Sequence, residues 1–586
     1  MISYATQPMT EISTPTTKTK NLTLSVTIEG VPPNVSTTIA NSLSLIKYQN
    51  YAEESVANLQ LLFGKSKSEI ENALIPFGYY HPAISATIQR DLDNWIINYH
   101  ISLGPPMIIK STNIEVLGSA EKDPAFLKLL KTFPVKTGDR LTQTDYEKAK
   151  SNLTDLAFSR GYFNTELTTH QIKVDKNTNQ ATVDLTLESK ERYRISRIRI
   201  TQKEFEFNDD FIRRFLKFDT GQYFNTQKIT DSQNALQSSS YFNAVTITPQ
   251  IKSKDNKDHT VPIDISLTAK KPVTYTIGGG YGSFTKFRVL GGVILRHLTK
   301  SGHYAKFSME ASQVSTTFLG EYIIPGSDPT TDFWSINAQQ SLIKTTAYDA
   351  QQTIFGFNNT IKYKDITSIL GLHQFFIHYT TQGNSATQSA HYLVPSWQVQ
   401  YVHTKQDGFW KRGFVINNAL QVSLKNLLST SSFIRNITSF QYSLPLMKQW
   451  NRFVTNATFG ALSVDNINDL AAPFRFYAGG VGNLLGYQYL SQGPIDANGN
   501  LTGGKYLMTA AAGLEQRVYG DFSVLGYFNM GNAANKLDMS DVEVKKAAGL
   551  GLAYQSPLGP IQLFFTRALN PNDQYWRIDF SIGVNS

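Results

Sequence analysis

The chain has no cysteine among its 586 residues. That excludes a disulfide framework and any thiolate metal site, and it suits an oxidising compartment where stray thiols are a hazard. Charge is sparse, at 17%, and the net +9 is spread without a block of basic residues. Nucleic acid is therefore not indicated as a partner, while a basic balance would also suit an anionic membrane surface. No run of about 18 apolar residues exists, so no transmembrane helix is expected. The first residues, with Thr14-Pro15-Thr16-Thr17-Lys18, lack the apolar centre of a signal peptide. A disordered tail is expected over 1–21, with any leader removed or the start altered. What the chain does hold is aromatic side chains, with 29 Tyr and 35 Phe.

A short unit recurs about every 80 residues, the sign of tandem modules. Its markers are Gly78-Tyr79-Tyr80, Gly161-Tyr162-Phe163 and Ser240-Tyr241-Phe242. A second marker keeps the same period: Ile101-Ser102-Leu103, Leu185-Thr186-Leu187 and Ile265-Ser266-Leu267. Each unit reads as strand, helix, helix, strand, strand. In the second, Ile114–Gly118 is a strand and Pro124–Lys131 a helix. Thr144-Asp145 offers an N-cap, with acidic residues in the first turn. Leu153, Leu156 and Ala157 form a helical stripe, and Gly161 stops it. Ala181, Val183, Leu185 and Leu187 then alternate along a closing strand. Ile70, Ala73 and Leu74, then Ala235 and Leu236, take the comparable helix places. A sheet covered by two helices is a self-sufficient two-layer domain. Tyr79, Tyr162 and Tyr241 are expected to bridge helix end to sheet. Such a module also offers a partner an exposed strand edge.

From Pro272 the pattern changes to short alternating segments. Examples are Ala305, Phe307, Met309 and Ala311; Trp397, Val399 and Tyr401; and Phe375, Ile377 and Tyr379 against Gln374, Phe376 and His378. In the last, Trp576, Ile578, Phe580, Ile582 and Val584 share one face, with Arg577 and Asp579 opposite. That suits a strand with lipid outside and water inside. Tyr275, Tyr281, Tyr304, Tyr575 and Trp576 crowd segment ends, as in interfacial girdles. A helix-free span of this length, with charge on interior faces, is unlike a soluble sandwich. At strands of about 9–11 residues it holds about 16 of them. The fold class is α+β modules followed by an all-β transmembrane barrel of antiparallel strands.

The three units resemble polypeptide-transport-associated (POTRA) domains, and the remainder resembles the BamA-type barrel. The resemblance rests on Arg475-Phe476-Tyr477-Ala478-Gly479-Gly480 through Gly486-Tyr487, on Gly503-Gly504-Lys505-Tyr506-Leu507 and on Ser556-Pro557-Leu558-Gly559-Pro560-Ile561. Gly78-Tyr79-Tyr80-His81-Pro82 and Glu191-Arg192-Tyr193-Arg194 add to it. Three modules rather than five or two are similar to the TamA branch, the outer-membrane subunits of the translocation and assembly module. The implied boundaries are POTRA domains at 22–104, 105–190 and 191–271 and a barrel at 272–586. The resemblance further implies an outer-membrane protein of a Gram-negative bacterium with its modules in the periplasm and a monomeric barrel. A TamB-like periplasm-spanning partner, outer-membrane protein clients and membrane lipids follow; no cofactor is implied. Tyr79 and Tyr80, farthest out, are the expected partner-binding residues.

In that family the barrel-entering loop carries an Arg-Gly-aromatic tip, paired with an Asp inside the lumen. Here the loop motif is Gly479, Gly480, Leu485, Gly486 and Tyr487, and the strand position is Asn529. Cation and anion are both replaced, which is nearly neutral where losing one is costly. Leu485 is expected to hold the loop by packing, Asn529 by hydrogen bonds, and Glu515 to anchor it further.

No hydrolase motif is present. Gly278-Gly279-Gly280-Tyr281-Gly282 sits inside an alternating segment, not before a helix, so it is not a phosphate loop; the histidines show no metal spacing. Those glycines weaken the first barrel strand, about Val273 to Gly282, against the last, which carries Gly583. The seam between them is a lateral gate candidate, formed by Tyr275, Ile277, Gly279 and Tyr281 facing Trp576, Ile578, Phe580 and Gly583. Gly279 and Ser581 are the expected register pair. The alternatives are a two-partner-type secretion pore exporting a dedicated polypeptide and a passive porin.

Overall fold

The computed structural model describes residues 23–47, 56–91, 94–251, 258–447, 450–481, 483–556 and 559–583; the tail expected over 1–21 lies outside them. Three modules precede a barrel. The first comprises β1 (Thr23–Glu29), α1 (Pro33–Ser42), α2 (Ser44–Lys47), α3 (Val56–Leu74), β2 (Ala83–Asp91) and β3 (Asn94–Ser102). The second has β4 (Ile108–Leu117), α4 (Pro124–Lys131), α5 (Gln143–Ser159), β5 (Glu166–Asp175) and β6 (Gln180–Glu188). The third has β7 (Arg194–Lys203), α6 (Asp209–Arg213), α7 (Thr226–Ser238), β8 (Phe242–Pro249) and β9 (Thr260–Ala269). Each sheet places its first strand beside its third, with the second outside. In the first two modules the first and third strands run parallel.

The second module shows why these residues fold so. Asp123 caps α4, its carboxylate accepting from the Ala125 N–H at 3.0 Å. For α5 the cap is Thr142, whose Oγ1 accepts from the Asp145 N–H at 3.1 Å. The expected cap at Thr144-Asp145 was two residues late, because Asp145 belongs to the first turn. Tyr146, Ala149, Leu153 and Ala157 of α5 are buried against Ala181, Val183, Leu185 and Leu187. Gly161 ends the helix at φ +90°, and the Tyr162 N–H returns to the Ala157 carbonyl at 2.9 Å, the helix-terminating bond of a left-handed cap.

The barrel is closed and antiparallel throughout. Its strands are β10 (Val273–Gly282), β11 (Lys286–Leu295), β12 (Tyr304–Ala311), β13 (Ser315–Pro325), β14 (Asp332–Lys344), β15 (Tyr348–Tyr363), β16 (Ile366–Thr381) and β17 (Asn384–Asp407). They continue with β18 (Trp410–Ser423), β19 (Phe433–Met447), β20 (Asn451–Ser463), β21 (Tyr506–Tyr519), β22 (Phe522–Ala534), β23 (Lys545–Ser556), β24 (Gly559–Ala568) and β25 (Trp576–Gly583). Outward faces carry exposed Phe307, Met309, Phe357, Leu370, Trp397 and Ile578, while Asp579 is buried inside against Arg577 at 2.9 Å. No helix among the described residues is long and apolar enough to cross a membrane.

By packing, the described residues up to Arg199, with Phe218–Thr230 and Thr248–Asp264, form one compact unit. Ile200–Lys217, Asp231–Ile247 and the chain from Ile265 form the other.

Candidate functional site

The barrel closes through a short seam. β10 pairs with β11 along its whole length, from Val273 opposite Leu295 to Gly282 opposite Lys286. Against β25, among the described residues, it registers Gly280 with Gly583, Tyr281 with Ile582 and Gly282 with Ser581. Ser283 adds to this ladder: its N–H donates to the Phe580 carbonyl at 2.9 Å, and its Oγ accepts from the Phe580 N–H at 2.7 Å. Among the described residues, Val273–Gly279 have no ladder partner on β25. Tyr275 and Ile277 stand exposed on that stretch, as do Trp576 and Ile578 on β25, while Phe580 meets Tyr281 at 6.3 Å between ring centroids. The expected pairing of Gly279 with Ser581 is corrected: Ser581 faces Gly282, because the antiparallel register runs from Gly280 opposite Gly583 to Gly282 opposite Ser581.

The described residues of the segment 464–505 fold back into the lumen. Leu470, Ala472, Phe474 and Tyr477 are buried against wall residues Tyr348, Ile377, Tyr379, Tyr392 and Phe433. Phe375, Ile377 and Tyr379 thus form an apolar face that points inward, and Phe376 points out. Alternation alone does not say which face meets lipid. Arg475 ties the loop to itself, donating to the carbonyls of Leu470 and Thr502 at 2.9 Å and of Asn468 at 3.2 Å. Gly480 exchanges both backbone bonds with Leu484 at 3.0 Å, and the Gly479 carbonyl accepts from Leu490 at 3.3 Å. At the tip, the Gly486 backbone lies against Thr566 and Ala547. The Tyr487 hydroxyl sits 3.0 Å from the Lys546 carbonyl and 3.1 Å from Asn570 Oδ1.

Three expectations for this loop change. The fully buried tip residues are Leu484 and Tyr487; Leu485 is half-buried and lines a lumenal cavity of 530 Å³ with Val481, Arg452, Tyr527 and Phe564. Leu484 joins the buried cluster of loop and wall, whereas Leu485 faces the cavity. Asn529 is 1% exposed, yet neither of its amide atoms has a hydrogen-bond partner among the described residues; it does not tie the loop. Glu515 joins wall to wall, with Oε2 at 2.7 Å from Arg452 and Oε1 accepting from Ser523 at 2.6 Å. Position-by-position analogy located these residues but not their partners.

The repeated aromatic marker turns out to be a joint. The Gly78 carbonyl accepts from Met107 N–H at 2.8 Å, and the Gly161 carbonyl accepts from Tyr193 N–H at 2.9 Å. Both acceptors reach the start of the next module. Tyr79 packs on its own module's core while its hydroxyl accepts from Arg140 at 3.0 Å, and Tyr80 packs on the second module's core. Tyr79 and Tyr80, expected to receive a partner, are therefore engaged within the chain. In the second joint Asp123 collects Arg160 at 2.6 Å and the Tyr162 hydroxyl at 3.1 Å, with Arg192 at 3.7 Å. Burial pushes the Asp123 carboxyl up, but the hydrogen bonds from Arg160, the Ala125 N–H and Tyr162 outweigh it and hold it below the ordinary carboxylate range. Burial, then the Asp123 charge, push the Tyr162 hydroxyl up to about 12.

Comparison with known proteins bears on this arrangement. Residues 297–585 match the Omp85 superfamily domain, residues 25–103 the POTRA domain TamA domain 1, and residues 109–192 and 193–270 the surface antigen variable number repeat, a POTRA family. The outer membrane protein assembly factor BamA of Nitratidesulfovibrio vulgaris is 21% identical over 557 residues, 89% of this chain and 68% of that protein. BamA of Buchnera aphidicola is 30% identical over 122 residues, 21% of this chain and 19% of that one. The crystal structure of Haemophilus ducreyi BamA lacking POTRA domains 1–3 superposes with a TM-score of 0.66 at 16% identity, covering 80% of this chain and 99% of that one. The chain is a BamA/TamA-type member of the Omp85 superfamily. As such it sits in the outer membrane with its POTRA domains in the periplasm.

That orientation makes the β11–β12 and β13–β14 turns of this Omp85 barrel periplasmic, and there they meet the third POTRA domain. Tyr241 donates its hydroxyl to the Gly302 carbonyl at 2.7 Å, and Arg296 Nε donates to the Ser240 carbonyl at 2.7 Å. An arginine side chain here replaces the backbone N–H of the earlier joints. Arg214 reaches the Gly326 carbonyl at 3.2 Å and Lys217 pairs with Asp328 at 2.6 Å. Tyr304, expected in an interfacial girdle, instead packs edge-on against Tyr241 at 5.8 Å, since β12 begins directly under the module.

Proposed function

We propose that this protein is a non-enzymatic outer-membrane assembly factor that inserts or translocates β-barrel or autotransporter-type clients through a lateral gate between β10 and β25. The observation that carries the reading is the seam, where among the described residues β10 meets β25 only through Gly280–Gly282 and the adjoining Ser283. An edge so lightly paired opens at low cost and then presents free N–H and C=O groups to an incoming strand. The driving force is the client's own folding and burial. Within the superfamily, the three modules and the match of the first to a TamA-type POTRA domain support the TamA branch and a TamB-like, inner-membrane-anchored partner.

The test follows the observed register. Cysteines at Gly282 and Ser581, opposite one another, are expected to abolish client assembly when oxidised and to restore it on reduction. A polypeptide secretion pore would keep exporting with the seam locked, so assembly undiminished in the oxidised protein refutes the gate and favours the pore.

A further inference from the structure

β17 outgrows its neighbour. It pairs with β16 up to Asn384 but with β18 only from Ser396 onward, which leaves an open edge above Ser396 on the extracellular side. The segment 424–432, linking β18 to β19, folds over that edge. Thr430 N–H donates to the His391 carbonyl at 2.8 Å, Thr430 Oγ1 accepts from His391 N–H at 3.0 Å, and Ser429 Oγ accepts from Leu393 N–H at 2.9 Å. Serine and threonine side chains thus stand in for the missing strand.

The same segment turns three leucines outward. Leu424, Leu427 and Leu428 are 56%, 55% and 64% exposed. The Leu428 carbonyl is held at 3.4 Å by Gln374 Nε2, and Gln374 lies on β16 between Leu372 and Phe376, both exposed on the outward face. Leu428 holds φ +49° and Asn426 φ +69°, a left-handed backbone that a bulky L-residue avoids unless the surroundings impose it. Lys425 is exposed beside them.

We propose that residues 424–432 form an interfacial lipid anchor on the extracellular rim. Leu424, Leu427 and Leu428 lie among the upper acyl chains of the outer leaflet, and Lys425 faces its anionic headgroups. The leucines continue the outward apolar face of β16, and the basic neighbour complements phosphate-bearing lipid, the combination that seats a segment in a membrane interface. The barrel would thereby be fixed in height and rotation on the wall that carries β16 to β19.

The absence of cysteine makes the test direct. Leu427→Cys in the full chain is labelled with an environment-sensitive fluorophore and reconstituted in vesicles whose anionic lipids carry bromines high on the acyl chains. Blue-shifted emission quenched by those bromines is expected, whereas a label at Asn498→Cys, exposed on the 464–505 loop, stays red and unquenched. Leu424→Cys, labelled likewise, guards against a local disturbance at Leu427. Emission at both leucine sites matching Asn498 overturns the proposal. So does a blue shift without bromine quenching, which would put protein rather than lipid on the leucines.

Discussion

Asn529 faces the lumen on β22 between Ala511 and Ala547, buried with its amide unpartnered among the described residues. Such a group costs about 1–3 kcal/mol relative to a satisfied one. Asn529→Leu, similar in shape and apolar, is therefore expected to raise the temperature at which the barrel loses its folded mobility on detergent gels. Asn529→Asp is expected to lower it, since a buried charge is added without a partner, and Leu485→Arg in the same chain to recover the loss. A lower midpoint for Asn529→Leu than for the parent would show that the amide finds a partner after all. Sequence spacing reached these positions because the family's loop and strand motifs are local and glycine-marked. It did not reach their partners. Whether Leu484 or Leu485 is the fully buried one depends on the phase of a loop without periodicity, and the isolation of Asn529 depends on where that loop's tip comes to rest.

The joints between modules are a backbone device, which explains why the repeat was legible and its purpose was not. Gly78 and Gly161 recur because the helix must end left-handed and because the next module comes close: a Cβ on Gly161 would stand 2.9 Å from that of Phe224, and one on Gly78 would collide with the Leu141 carbonyl. The groups they engage, the N–H of Met107 and of Tyr193, leave no side-chain signature. The second joint also carries a charge cluster whose pH response has a definite sign. With the Asp123 carboxyl held below its ordinary value, the stabilisation is complete above the unfolded-state pKa of about 3.9. It is lost as pH falls through the lower folded value. Asp123→Asn is expected to loosen the joint at neutral pH by about 1–3 kcal/mol, the cost of leaving buried donors unmatched. Amide hydrogen exchange across 120–165 and 190–195, corrected for intrinsic rates, should differ between parent and variant at pH 7 and converge toward pH 2. A difference that stays constant over that range would assign the effect to packing instead of charge.

At the scale of the second unit, the third module's docking and the seam belong to the same side of the barrel. Tyr241, Arg214 and Lys217 grip the β11–β12 and β13–β14 turns, and β11 is hydrogen-bonded to β10, the strand that closes the seam. The module's contacts therefore lie beside the shortest ladder of the barrel among the described residues, whereas β15 and β16 pair without a break from Tyr348 to Tyr363. Composition and alternation were enough to foresee the strands and their approximate number, since each strand is local. This docking was not foreseeable, because it joins barrel turns to module residues far apart from them in sequence. Gly302 is its most exacting point: at φ +84° a Cβ there would overlap the Phe211 ring. The Lys217–Asp328 pair is half-exposed on its lysine side and by itself contributes little, at most about 1 kcal/mol, so Gly302 is the residue to change. Gly302→Ala is expected to leave the barrel's heat-dependent gel mobility as in the parent, to expose the third module to limited proteolysis after its Arg and Lys residues, and to lower client assembly. If the module is released to protease while assembly continues at the parental rate, docking serves only to hold the domain in place, and the proposed gate does not depend on it.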